Sequence, residues 1–132
     1  MLKLNNYFDI KRLVIALAFT TIVIVLTHIP QELMPSQLQK NDLDKLQHIV
    51  AYGIITFLFI FSLKSSPSLL SALLVFIVIL VIGIADEITQ PFVNRQASLS
   101  DLAADIIGII TALLLMVAGK RRFFQNKNQI IR

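Results

Sequence analysis

The sequence predicts an all-α integral membrane protein, a bundle of four transmembrane helices with both termini in the cytoplasm. Three observations carry that expectation. First, 56% of the 132 residues are hydrophobic and only 15% are charged, against about 45–50% and about 25% in ordinary soluble domains. A soluble domain this short has too little interior to hide so much apolar surface. Second, the apolar residues fall into four runs of 17 or 18 residues: Leu13–Ile29, Leu46–Leu63, Leu69–Ala85 and Leu102–Ala118. A bilayer span needs about 17–25 residues. Third, the runs hold one carboxyl, Asp105, and no lysine or arginine. The composition is the opposite of a disordered one. With no cysteine, disulfides and thiolate metal sites are excluded.

The whole chain, 1–132, reads as one membrane domain with no internal repeat and no glycine-rich phosphate loop. The first helix is expected over about residues 13–30. No small-residue cleavage site follows it, so it reads as a retained anchor and not a removed signal peptide. Pro30 and Pro35 lie in the polar segment before the second helix, expected over 45–63. The connection Lys64-Ser65-Ser66-Pro67-Ser68 leads to the third, over 69–90. Pro91 ends it, because proline disfavours helix in the residue before it. Ser98-Leu99-Ser100-Asp101 opens the fourth, over 101–119: either serine suits the cap and Asp101 the first turn. Residues 120–132 read as a basic cytoplasmic tail, with Phe123 and Phe124 beside Arg121 and Arg122 as an interfacial anchor.

The basic residues set the orientation. Lys3, Lys11, Arg12, Lys64, Lys120, Arg121, Arg122, Lys127 and Arg132 fall on one side of the four spans, and only Lys40, Lys45 and Arg95 on the other. The positive-inside rule places the richer side, with both termini, in the cytoplasm. The net charge of +4 is then spent on orientation and on anionic lipid, and no nucleic-acid partner is needed. The expected location is the cytoplasmic (inner) membrane.

The remaining polar residues gather at the outer ends of three helices. Asp44, His48 and Tyr52 share one face of the second helix, at i, i+4 and i+8, and Lys45 can join them. Gly83, Glu87 and Gln90 form a stripe on the third, and Asp101, Asp105 and Gly108 one on the fourth. Arg95 lies on the loop between those two helices. Ionisable groups within a span face the bundle interior or a wet cavity, so the stripes predict an inward-facing polar pocket. Gly83 and Gly108 let helices approach closely beneath it. Asp105 lies about 6 Å deeper than Asp101, one helical turn further in. Asp86, off the third-helix stripe, reads as a solvated end residue, and His28 as interfacial.

These residues resemble a known family. Asp44-Lys45-x-x-His48-x-x-x-Tyr52, then Asp86-Glu87-x-x-Gln90, then Arg95-x-x-Ser98-x-x-Asp101-x-x-x-Asp105-x-x-Gly108 is similar in order and placement to the signature of VanZ-like membrane proteins. The resemblance covers roughly residues 44–110. This chain departs from the pattern at Asp105, where the family usually has asparagine. Membership implies a small polytopic bacterial membrane protein. The founding member of the family is linked to low-level resistance to the glycopeptide teicoplanin, and most relatives have no assigned reaction.

Five carboxyls, Asp44, Asp86, Glu87, Asp101 and Asp105, meet only Lys45 and Arg95 as fixed positive charges, a formal excess of three negative charges. Some of them must be protonated, paired with Lys45 or Arg95, or bound to a cation. Three functions follow. One is a binding site for a cell-envelope component or a glycopeptide-type antibiotic. A second is an enzyme acting on a lipid-linked envelope substrate. In it His48 or Glu87 is the general base, Arg95 holds phosphate, and Tyr52 and Gln90 orient the head group. A divalent metal on His48, Glu87, Asp101 and Asp105 fits that enzyme, because it offsets the acidity that repels phosphate. The third is transport of a proton or small solute.

Overall fold

The computed structural model describes residues 7–33, 41–65 and 67–130, with side chains for all but 31, 41, 42, 117 and 120–130. Lys3, Pro35, Lys40, Ser66, Arg132 and the side chains of Lys120, Arg121, Arg122, Phe123, Phe124 and Lys127, named above, lie outside the described residues. Four α-helices are present: α1 (Ile10–Thr27), α2 (Asn41–Ser62), α3 (Leu69–Thr89) and α4 (Leu99–Ile130). All four are long and apolar enough to cross a membrane, with mean hydropathy from 1.5 for α2 to 2.8 for α3. The described residues contain no strand, and the fold is that of a multi-pass α-helical membrane protein.

The ends of the helices follow local chemistry. Asp9 caps α1 by accepting from the backbone N–H of Lys11 and Arg12 at 3.1 and 3.3 Å. The cap sits ahead of the apolar run, so the helix starts at Ile10 and not at the expected residue 13. Ser68 caps α3 by accepting from Ser71 N–H at 3.1 Å. After Thr89, Pro91 converts the chain to a 3₁₀ turn over Gln90–Val93. Asn94 then takes the left-handed conformation at φ 58°, which asparagine tolerates better than most residues. The Ser98 carbonyl accepts from Asp101 and Leu102 N–H at 3.0 and 3.1 Å and so opens α4. The α4 backbone stays helical to Ile130, past the expected end at 119. A lone Gly119 does not stop it, and the lysine-, arginine- and glutamine-containing run behind it has no proline.

The α2 helix is the centre of the bundle: α4 packs most extensively against it, and α1 and α3 flank the pair. The start of α1 is tied to the end of α2. Asp9 N–H donates to the Ser62 carbonyl at 2.8 Å, and Lys64 N–H to that of Tyr7 at 3.0 Å. The Arg12 guanidinium lies 4.4 Å from the centre of the Phe61 ring. Gly108, packed on Ile49 and Gly53, sets the α2–α4 distance. A Cβ on Gly108 would overlap the Ile49 carbonyl and stand 3.0 Å from the Gly53 nitrogen. Such contacts supply the close packing that associates helices in lipid, where the hydrophobic effect does not.

The core runs through Val23, Tyr52, Ile55, Ile60, Ile79 and Ile109. On α3 only Val75, Ile79, Gly83, Asp86 and Glu87 are buried, one narrow stripe on a helix otherwise turned outward. Val14, Ile22, Val25, Leu73, Val81 and Leu114 are exposed on the outside of the bundle, which suits lipid and not water. Buried hydroxyls in the middle of the spans bond within their own helix: Thr20 to the Ala16 carbonyl and Thr56 to that of Tyr52, both at 2.8 Å.

Candidate functional site

The end of α1, the start of α2, the end of α3 and the start of α4 meet at one end of the bundle, and there the polar side chains collect. His48 on α2 and Asp105 on α4 are its deepest pair. Nδ1 of His48 lies 2.8 Å from Oδ1 of Asp105, with side-chain exposures of 3% and 0%. With the imidazole proton on Nδ1 this contact is a hydrogen bond to the carboxylate, and with Nδ1 unprotonated both atoms can ligate a cation. Tyr52, one turn further along α2, stacks on the His48 ring with centroids 6.3 Å apart.

Glu87 on α3 completes the group. One of its oxygens, Oε2, accepts from the Ser98 backbone N–H at 2.7 Å, linking the end of α3 to the start of α4. Its other oxygen, Oε1, together with Asp105 Oδ2 and Gln90 Nε2, is buried without a hydrogen-bond partner among the described residues. Buried polar atoms are usually satisfied, so three orphans at one site are a local anomaly. His48, Glu87 and Asp105 each bring a potential ligand atom within 4.8 Å of the other two. Asp44, His48 and Asp101 form a second such group, so His48 belongs to both. Asp44 is also paired with Arg95, Nη2 to Oδ1 at 3.4 Å. Lys45 is half-buried and makes no ion pair with a described residue. Gly83 lets α3 close on this cluster: a Cβ there would lie 3.1 Å from Asp105 Oδ2 and 3.2 Å from the Tyr52 ring.

Asp86 departs from its expected role. It is 3% exposed, not solvated, and it joins α1 to α3. Its Oδ1 accepts from Thr27 Oγ1 at 2.7 Å and lies 3.3 Å from His28 Nδ1. Its Oδ2 accepts from the Tyr52 hydroxyl at 3.4 Å. His28 Nε2 lies 2.9 Å from Thr89 Oγ1, so His28 too serves the α1–α3 junction. Asp86 is about 100° round the helix from Glu87, which turns it from α4 toward α1. The signal available in the sequence is Thr27-His28 at the end of the first apolar run, at the same level as Asp86.

A groove of about 610 Å³ opens between α1 and α2 beside the cluster. Its walls are apolar, with Phe19, Val23 and Leu26 from α1 and Val50, Ala51 and Ile54 from α2. Asp44, His48 and Arg95 line it as well. The arrangement therefore offers an imidazole beside a carboxylate, a guanidinium and two ligand-type triads at the edge of an apolar groove. Comparison with protein-family models, with curated proteins and with solved structures finds no match for this chain.

Proposed function

We propose that the protein is a VanZ-like membrane protein that binds an amphiphilic component of the cell envelope, a lipid-linked precursor, in the groove between α1 and α2. The observation that carries this reading is the composition of the groove: an apolar wall along two membrane helices, with Asp44, His48 and Arg95 at its polar part. Its volume of about 610 Å³ falls in the range of about 300–1,000 Å³ typical of small-molecule sites. A lipid chain would lie on the walls, and its head would meet Arg95, whose planar fork suits phosphate. The excess of basic residues at the other end of the bundle supports placing this site at the outer face of the cytoplasmic membrane. The resemblance extends the reading to envelope function or to glycopeptide resistance of the teicoplanin type.

The test is photolabelling in vesicles with a photoreactive polyprenyl phosphate. Label is expected on Val23, Leu26, Val50 and Ile54, with competition by unlabelled polyprenyl phosphate but not by phosphatidylglycerol. Arg95→Ala should reduce it at least several-fold. Label spread evenly over the outward faces of all four helices would sink the reading. A second reading, catalysis on the bound head group, is favoured by the Nδ1 contact of His48 with Asp105, which orients the ring for proton transfer in the manner of a general base. Under it His48→Gln stops turnover of the bound head group in protein that still inserts into the membrane.

A further inference from the structure

We propose that His48, Glu87 and Asp105 form a binding site for one divalent cation of the first transition row, of the zinc or manganese type. The site stands on its own residues and does not require the groove to hold an amphiphile. Three different helices deliver the three side chains, and their ligand-type atoms lie within 4.8 Å of one another. All are buried, with residue exposures of 4%, 6% and 0%. One imidazole with two carboxylates is a donor set that first-row divalent ions accept readily.

Two further observations point to an ion rather than to a plain polar cluster. Glu87 Oε1 and Asp105 Oδ2 are the buried carboxylate oxygens that lack a partner among the described residues. They belong to the two acids of this triad. Asp105 Oδ2 is also the nearest atom to a Cβ placed on Gly83, at 3.1 Å. It thus lies on the α3 side of the cluster, where Glu87 sits one turn beyond Gly83.

Charge balance favours the same triad over the other. Two carboxylates beside a neutral imidazole carry a formal charge of −2, which a divalent cation cancels, and uncompensated charge inside a membrane span is costly. The Asp44, His48 and Asp101 group shares its mouth with Arg95, which already neutralises Asp44 at 3.4 Å and repels a second cation. The Ser98 N–H on Glu87 Oε2, at 2.7 Å, holds the glutamate in one orientation, as outer hydrogen bonds do for metal ligands. Three protein ligands leave coordination positions open, and His48 lines the groove through which a further ligand could arrive.

The full chain, purified in detergent and stripped with EDTA, is re-equilibrated with Zn²⁺, Mn²⁺ or Co²⁺. Bound metal is then measured by mass spectrometry. About one ion per chain is expected. Glu87→Gln and Asp105→Ala should each weaken binding at least tenfold, while Asp9→Asn, at the other end of the bundle, leaves it unchanged. If a variant fails to insert, nitrogen hyperfine coupling from imidazole to Mn²⁺ bound by the parent protein decides the matter. Its presence, retained in His28→Ala, supports ligation by His48. No retained ion, no nitrogen coupling, or an ion that survives both substitutions overturns the proposal. Loss of metal binding with photolabelling intact would reject the cation site alone.

Discussion

Nδ1 of His48 on α2 and Oδ1 of Asp105 on α4 meet at 2.8 Å, and neither side chain is more than 3% exposed. Removing one member of such a pair leaves the other buried without its partner, which costs about 3–5 kcal/mol in protein interiors. His48→Ala and Asp105→Ala are therefore expected to lower stability in detergent by about 3 kcal/mol each. Asp105→Asn keeps an oxygen that accepts from Nδ1–H and should retain most of the protein level. Thermal unfolding of the three variants, together with their abundance in membranes, checks this. Equal loss for the alanine and asparagine variants at Asp105 would show that the contact is not what matters there.

The glycine contacts between α2 and α4 give a second, purely steric prediction. Gly108→Ala places a methyl group on the Ile49 carbonyl. Backbone cannot rotate away as a side chain does, so the helices must separate, at about 1–3 kcal/mol. Gly53→Ala meets Gly108 O at 3.5 Å, an ordinary contact, and should stay within about 1 kcal/mol of the parent. Unfolding measurements on both variants separate a packing role at Gly108 from a general preference for glycine. An equal cost at the two positions would contradict the geometry.

How much of this was legible depended on whether a signal was repeated or single. Four apolar runs repeat one message, and the helix count follows from them. Asp44 and His48, Glu87 and Gln90, and Asp101 and Asp105 lie on stripes with helical spacing, and membrane burial turns a polar stripe inward, so their convergence at one end is readable. Helix starts set by a single capping residue outside a run, such as Asp9, are not. Nor is the continuation of α4 to Ile130, where ordinary helix propensity acts without an apolar pattern. The burial of Asp86 is not legible either, because its partners, Thr27 and His28, come from α1, and no periodicity within α3 records what packs on its other side. The groove is a product of how α1 leans on α2 and has no one-dimensional signature.

The α1–α3 junction can be tested through its hydrogen bonds. Thr27 Oγ1 donates to Asp86 Oδ1 at 2.7 Å, a shorter contact than the 3.4 Å from the Tyr52 hydroxyl to Oδ2. Single side-chain hydrogen bonds in membranes are worth about 0.6–2 kcal/mol. Thr27→Val should fall in that range and Tyr52→Phe at or below its lower edge. A double-mutant cycle of Thr27→Val with Asp86→Asn checks the assignment, and a coupling energy near zero would remove Thr27 as the partner of Asp86.

The placement of the site relative to the membrane is the last prediction. The Asn94–Ser98 loop lies at the site end of the bundle, between the end of α3 and the start of α4, and the Lys64–Ser68 connection lies at the opposite end, between α2 and α3. Lys11, Arg12 and Lys64 lie at that opposite end, whereas Lys45 and Arg95 lie at the site end, and the sequence beyond α4's apolar run adds Lys120, Arg121, Arg122, Lys127 and Arg132 to the basic side. Basic residues flanking short loops are retained in the cytoplasm. Reporters inserted at residue 95 should be active outside, and those inserted at residue 64 or fused after residue 120 should be active inside. Adding two or three lysines to the 94–98 loop is expected to weaken or mix this topology, because it erodes the same asymmetry. If the reporter at residue 95 is cytoplasmic, the groove and the His48–Asp105 pair open inward, and a precursor at the outer face is no longer a ligand they can reach.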